Sequence, residues 1–178
     1  PTINARQLRH ITCGGHNRRF FHSHRNQIIL TIHTEIRRHT RTVIEEHKLF
    51  KQEGMPYIEH RELVLKQLKT LVENNATQYG FHEELGGQMN PGGSLSSFEE
   101  LLFADPSLQI KYGVQYGLFA SAILYLGTEQ HHKDLLPGAV NLDVPGVFAM
   151  TETGHGSDVA SIGTTATYDA ATGEFVIH

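Results

Sequence analysis

Residues 148–158, Phe-Ala-Met-Thr-Glu-Thr-Gly-His-Gly-Ser-Asp, hold the densest set of chemically able groups in this chain. A short apolar run, Val147 to Met150, ends in Thr151-Glu152, and a turn follows in which Gly154 and Gly156 bracket His155. Thr151 and Ser157 supply hydroxyls, Phe148 and Met150 supply apolar surface, and the glycines let backbone N–H groups approach a ligand closely. A flat ligand with polar edges suits such a set. An ordinary β-turn suits it as well, because a Gly-x-Gly turn behind a strand is common.

Other reactive types are weaker candidates. His131 and His132 are adjacent, so on a helix they point about 100° apart, and no carboxylate cluster joins them. They read as structural or surface histidines, and no metal site is expected. The histidines over 10–47 are irregularly spaced and do not suggest ligands. Glu83 and Glu84 sit beside Gly86 and Gly87 and read as loop or capping residues rather than an acid/base pair. Ser157 and His155 are too close in sequence to face each other as a nucleophile and its base.

These groups must be held by elements whose pattern is legible. Apolar residues at Ile28, Ile32, Ile36, Val43 and Ile44 predict a helix that Gly54 and Pro56 end, with a core-facing stripe and with Arg37, Arg38, Arg41 and Glu45 on its polar face. A second amphipathic helix covers roughly 58–75. Residues 79–94 read as a Gly-rich loop, followed by a short helix capped at Ser96 or Ser97 with Glu99 and Glu100 at capping-box distance. Asp105-Pro106 opens a helix to about Leu126, apolar nearly all round in its second half and so expected at the centre of a bundle. Gly127 is expected as a C′ residue, and Thr128 as the N-cap of a helix that ends at Pro137. From Pro145 the character is strand-like: Val147–Thr151, then Thr164–Tyr168 and Glu174–Ile177 joined by a turn at Ala170–Gly173.

Charge is divided unevenly. Residues 1–48 carry nine basic residues against three glutamates, and the rest carries six basic against sixteen acidic, giving the net −4. The basic arm reads as solvated chain: aromatics there are few and no nucleic-acid motif is present, so no nucleic-acid partner is expected. No run approaches the ~20 apolar residues that span a bilayer, and no membrane association is expected. The single Cys13 excludes an internal disulfide and any metal site built from cysteines. The first residue is Pro1, which suggests processing or a fragment.

Residues 148–159 resemble the flavin-contacting signature of the acyl-CoA dehydrogenase and acyl-CoA oxidase superfamily. Three further segments agree with it in order and spacing: Glu83-Glu84-Leu85-Gly86-Gly87, Leu126-Gly127-Thr128-Glu129-Gln130 followed by Leu136-Pro137, and Thr164-Thr165-Ala166-Thr167-Tyr168-Asp169. The Gly-His-Gly and Thr-Thr-Ala-Thr-Tyr-Asp details are closer to the oxidases. The resemblance covers about 58–178, more loosely from 28, and residues 1–27 remain an unplaced basic arm.

The resemblance implies an α+β fold. An N-terminal α-helical bundle over 28–144 would lead into the opening strands of a β-barrel-like middle domain over 145–178, with the family's C-terminal helical domain absent. It implies FAD as cofactor, with Phe148, Met150, Thr151, Gly156 and Ser157 along it and Ser157 also meeting the acyl-CoA. No catalytic base is assigned here: the family's base is a glutamate far downstream, and neither Glu152 nor His155 is expected to serve. The implied activity is that of a flavin-dependent acyl-CoA oxidase or dehydrogenase. It forms trans-2-enoyl-CoA from acyl-CoA in fatty-acid β-oxidation, with O₂ re-oxidising the flavin in an oxidase. This stretch would be an inactive fragment of such an enzyme. The alternative is a non-catalytic or degenerate binding or assembly module that retains the fold. A homodimer or larger assembly is implied, in the cytoplasm of a bacterium or, alternatively, in the peroxisomal matrix.

Overall fold

The structure is a computed structural model and describes residues 32–178. The basic arm over 1–27, the start of the first predicted helix at Ile28 and most of the histidine-rich stretch lie outside the described residues. The chain divides into two compact units, one running up to Gln109 and the other from Ile110 to His178.

In the first unit, helix α1 spans Thr34–Glu46 and α2 spans Tyr57–Glu73. A single 3₁₀ turn follows at Glu83–Leu85, and α3 spans Pro91–Leu101. The buried stripe of α1 is Ile36, Thr40, Val43 and Ile44, and that of α2 is Val64, Leu68 and Leu71. The predicted stripe holds at Ile36, Val43 and Ile44 but begins one turn later than Ile32, because His33 takes a left-handed conformation at φ 54° and Ile32 is left 65% exposed. Nor does α1 continue to Gly54. Lys48 turns left-handed, Leu49 donates its N–H back to the Ile44 carbonyl at 2.9 Å, and the Leu49 side chain is buried. Burying that leucine ends the helix before any glycine is reached.

Helix α3 also begins earlier than its serines suggest. Asn90 caps it, its Oδ1 accepting from the Gly93 N–H at 2.8 Å, with Pro91 in the first turn. Gly93 belongs to the helix because α1 is close: a Cβ there would sit 2.3 Å from Ile36 Cδ1. Ser96 and Ser97 are therefore inside α3 and buried. Thr40 Oγ1 donates to Ser97 Oγ at 2.9 Å, and Ser97 Oγ donates to the Ala76 carbonyl at 3.0 Å.

Of the residues expected on the polar face, Arg38 and Glu45 are exposed, but Arg37 and Arg41 are not. Glu100, 1% exposed, accepts from Arg37 Nη1 at 2.8 Å and from Arg41 Nε at 2.5 Å, and Arg37 also pairs with Glu99. Burial alone would lower the Arg37 pKa, but its bonds to Glu100 and Glu99 raise it instead. Arg37 and Arg41 thus tie α1 to α3 across the interior rather than facing water.

In the second unit the chain leaves α4 (Pro106–Tyr112, within which the two units divide), then widens into π-helix over Gly113–Ala120 and returns to α-helix as α5, Ser121–Leu126. Ser121 Oγ donates to the Tyr116 carbonyl at 2.7 Å, five residues back. Tyr116 and Ala120 of the π segment are buried together with Leu136, Ala139 and Val140 of α7 (Leu136–Val140), which packs against that segment. Burial concentrates there, so the predicted central position of the later turns is not found. In α5, Tyr125 is 65% and Leu126 85% exposed.

Thr128 does precede a helix, α6 (Glu129–Asp134), with its N–H donating to His131 Nδ1 at 3.0 Å. That helix stops at Leu135, and α7 opens with Pro137 in its first turn, where a missing N–H costs nothing. Gly127 is extended, not left-handed; a Cβ there would meet the Ile123 carbonyl oxygen at 2.3 Å.

The chain ends in an antiparallel hairpin of β1 (Ala166–Asp169) and β2 (Glu174–Ile177), pairing Ala166 with Ile177 and Asp169 with Glu174. Gly173, at φ 73°, closes the turn by donating to the Asp169 carbonyl at 2.8 Å. The described residues are therefore mostly α-helical with two short strands at the end, an arrangement consistent with a helical bundle preceding a β-sheet. This pair is the whole sheet among them, and no barrel is formed.

Candidate functional site

The site is built from one continuous stretch, 146–164, and from the residues that fix its two ends. At the entry, the buried Gln115 of the π segment donates its Nε2 to the Ala139 carbonyl at 2.8 Å and to the Val144 carbonyl at 3.1 Å. Its Oε1 accepts from the Gly146 N–H at 2.8 Å. Phe119 lies so close over Gly146 that a Cβ would fall 1.9 Å from its ring. One amide side chain thus sets where the chain enters the site, and only glycine fits at the crossing.

Val147–Thr151 then runs without pairing into a ladder; the strand expected there is not formed, since no neighbouring strand lies beside it among the described residues. Glu152 and Gly156 make a single antiparallel bridge, and Gly156 takes φ 56°. A 3₁₀ turn at Val159–Ser161 carries the chain back, with Ser161 Oγ donating to Asp158 Oδ2 at 2.6 Å. The result is an open cleft of about 260 Å³ lined by Val147, Phe148, Ala149, Met150, Glu152, Ile162 and Thr164.

Glu152 is the polar centre of this cleft. Its Oε2 accepts from the Gly163 N–H at 2.8 Å and from His155 Nε2 at 3.0 Å. Its Oε1 accepts from the Thr164 N–H at 2.9 Å and Thr164 Oγ1 at 2.5 Å. The Thr164 hydroxyl, followed by the Gly163 and Thr164 amides and then His155, holds the carboxyl down to about 2. A carboxylate so engaged is a fixed acceptor, not a group poised to take a proton near neutral pH.

Of the sequence-predicted residues, Phe148 and Met150 line the cleft. Thr151, Gly156 and Ser157 sit on the exposed turn beside it and not in its lining. Among the described residues the Thr151 and Ser157 hydroxyls make no side-chain hydrogen bond. Glu152, Ile162, Thr164 and Gln115 were not singled out from the sequence as site residues. Glu152 and Thr164 stand in segments that carried the resemblance, but nothing in their spacing of 12 residues announces that they meet.

The remaining candidates are engaged elsewhere. His131 Nδ1 takes part in the α6 cap, and His132 Nε2 lies 3.1 Å from the Ile123 carbonyl. Glu83 and Glu84 form the 3₁₀ turn, which the Gly86 N–H closes onto the Glu83 carbonyl at 2.9 Å. Among the described residues no group of three or more His, Cys, Asp or Glu could hold a metal ion, and no helix is long and apolar enough to cross a membrane.

Comparison with known proteins adds an independent line. Residues 30–143 match the family model described as acyl-CoA dehydrogenase, N-terminal domain. Acyl-coenzyme A oxidase 2, peroxisomal, of Arabidopsis thaliana is 40% identical over 120 residues, covering 67% of this chain and 17% of that protein. Acyl-coenzyme A oxidase 3, peroxisomal, of the same plant is 38% identical over 120 residues, covering 67% of this chain and 18% of that protein. The chain thus spans less than a fifth of the length of these relatives. Among solved structures, butyryl-CoA dehydrogenase from Megasphaera elsdenii superposes with a TM-score of 0.60 at 22% identity, over 83% of this chain and 39% of that one. At that identity the likeness is one of fold.

Proposed function

The chain belongs to the acyl-CoA dehydrogenase and oxidase superfamily, nearer to its peroxisomal acyl-CoA oxidases, and from that premise we propose that residues 1–178 are a binding module. On this reading they form the proximal part of a flavin and acyl-CoA site and by themselves bind without turning over. The observation that carries the reading is the cleft over 147–164, where an apolar wall stands beside two hydroxyls that make no side-chain hydrogen bond among the described residues.

The residues present fit FAD. Phe148 and Met150 offer apolar surface to a flat ring, and both are partly exposed. Thr151 and Ser157, unbonded among the described residues, offer hydroxyls to a polar edge, and Gly156 allows the turn to approach. Ser157 would also meet the acyl-CoA. Bound there, FAD supplies a two-electron acceptor for acyl-CoA oxidation. This chain's residues bind and orient; with its carboxylate committed to four donors, Glu152 does not remove the α-proton.

In a longer product of the same reading frame, the whole protein would be an acyl-CoA oxidase. It would form trans-2-enoyl-CoA in fatty-acid β-oxidation with O₂ as acceptor, as a homodimer or larger. The names of the relatives favour the peroxisomal matrix over a bacterial cytoplasm. The division into a helical domain over 28–144 and the start of a β domain over 145–178 belongs to the same proposal.

The test is to titrate the 178-residue chain with FAD, following quenching of flavin fluorescence, and then to add palmitoyl-CoA. Saturable quenching without enoyl-CoA or H₂O₂ is expected. Turnover by this chain would refute the non-catalytic reading, and absence of quenching would refute the flavin reading.

A further inference from the structure

We propose that Glu152 is a positioning residue of the cleft: its carboxylate sets the path of residues 152–164 and fixes the imidazole of His155 with its proton on Nε2. The proposal rests on the reading of the cleft as a flavin-facing wall, but its core can be tested without flavin.

The geometry is specific. Each carboxylate oxygen accepts two donors: Gly163 N–H and His155 Nε2 on Oε2, Thr164 N–H and Thr164 Oγ1 on Oε1. A carboxylate has about four acceptor sites, so this one is saturated. It joins the outgoing wall of the cleft, Phe148 to Met150, to the returning wall, Ile162 and Thr164. Thr151 directly precedes it, so the same anchor places that hydroxyl.

The imidazole follows from the same contacts. An ionised carboxylate can only accept, so the 3.0 Å contact requires a hydrogen on His155 Nε2. His155 Nδ1 is buried and has no hydrogen-bond partner among the described residues, and the side chain is only 10% exposed. A hydrogen on that nitrogen would have no acceptor, whereas a bare Nδ1 leaves no donor stranded. The low pKa of Glu152 agrees with an anion held in place by donors.

A glutamine cannot replace this acceptor. Whichever way its amide is turned, the NH₂ faces a backbone N–H, of Gly163 or of Thr164. Thr164→Val removes only the hydroxyl donor, and Thr164→Ser keeps it. The experiment measures the ¹⁵N shifts of His155 and the exchange rates of the Gly163 and Thr164 amides in the whole chain, for wild type, E152Q, T164V and T164S, with FAD affinity alongside.

Wild type is expected to show a protonated Nε2 and a bare Nδ1. E152Q should lose that signature, exchange both amides roughly tenfold faster or more, and bind FAD more weakly. T164V should be intermediate and T164S like wild type. Unchanged shifts and exchange in E152Q would overturn the proposal, as would T164S behaving like T164V. Loosened amides with unaltered FAD affinity would overturn the positioning role. A wild-type chain with the expected His155 signature but no flavin uptake would support the anchor and sink the flavin reading alone.

Discussion

Gln115 and Gly146, 31 residues apart, meet through a 2.8 Å hydrogen bond in which the Gly146 N–H donates to the Gln115 Oε1. The same amide group holds the Ala139 and Val144 carbonyls, so one side chain governs three backbone groups just ahead of the cleft. Gln115→Leu leaves all three without that partner. It is expected to lower stability by about 1–2 kcal/mol, the worth of hydrogen bonds that are only partly buried at Val144 and Gly146, read as a shifted urea midpoint with an unchanged slope.

Gly146→Ala tests the crossing itself. The new Cβ would overlap the Phe119 ring, which must move or push the segment away. The expected loss is about 1–3 kcal/mol, and Phe119→Ala in the same chain should relieve part of it. Additive losses in the double variant would contradict a direct clash.

Glu100 and Glu99 offer a paired comparison on one helix. Glu100→Ala strips the buried partner from Arg37 and Arg41 and is expected to cost about 3–5 kcal/mol. Glu99, with a side chain 52% exposed, bonds Arg37 from the rim. Its alanine variant should cost no more than about 1 kcal/mol. Denaturant unfolding of the two variants gives the ranking.

Acid should act on the cleft through Glu152. Its ordinary pKa of 4.5 falls to about 2 in the folded chain, chiefly through the Thr164 hydroxyl. The folded form therefore binds this proton less readily than the unfolded form. The stabilisation is present above pH 4.5 and fades as pH falls toward 2. A carboxyl titration by NMR should find Glu152 titrating near the bottom of that window. In T164V the value should move up toward the ordinary range.

Thr151→Ala and Ser157→Ala should each weaken FAD binding about two- to tenfold, the worth of one neutral hydrogen bond. Melting temperature should stay the same, since neither hydroxyl bonds within the described chain. Fluorescence titration and a thermal scan separate the two effects.

Much of this was legible in residue order. The 57–73 helix and the hairpin follow from local period and turn chemistry, and the 148–159 segment carried the family resemblance. Contacts made across sequence distance were not legible. Arg37 and Arg41 look like a solvated face until Glu100, about 60 residues on, is placed under them. Asn90-Pro91 looks like loop because two glycines follow, yet Gly93 leaves room for Ile36 of α1 and Gly92 for His33 just ahead of it. Val147–Thr151 has strand composition, but a strand needs a neighbour, and composition cannot supply one. In the candidate site, the residue types along the turn could be read, whereas Glu152 gains its meaning only from Gly163 and Thr164.

The π segment over Gly113–Ala120 has an effect beyond holding Gln115. Bonding five residues back winds the chain more loosely than an α-helix does, so each residue there advances through a smaller angle. Over eight residues the difference accumulates into a phase lag between Tyr112 and Ser121. The segment therefore acts as a reserve of winding. Tightening the same eight residues into α-helix would rotate Ser121–Leu126 about the axis, whereas tightening with one residue removed would nearly restore their present orientation. Which direction Tyr125 and Leu126 face is thus decided upstream of them, by how slackly the preceding turns are coiled.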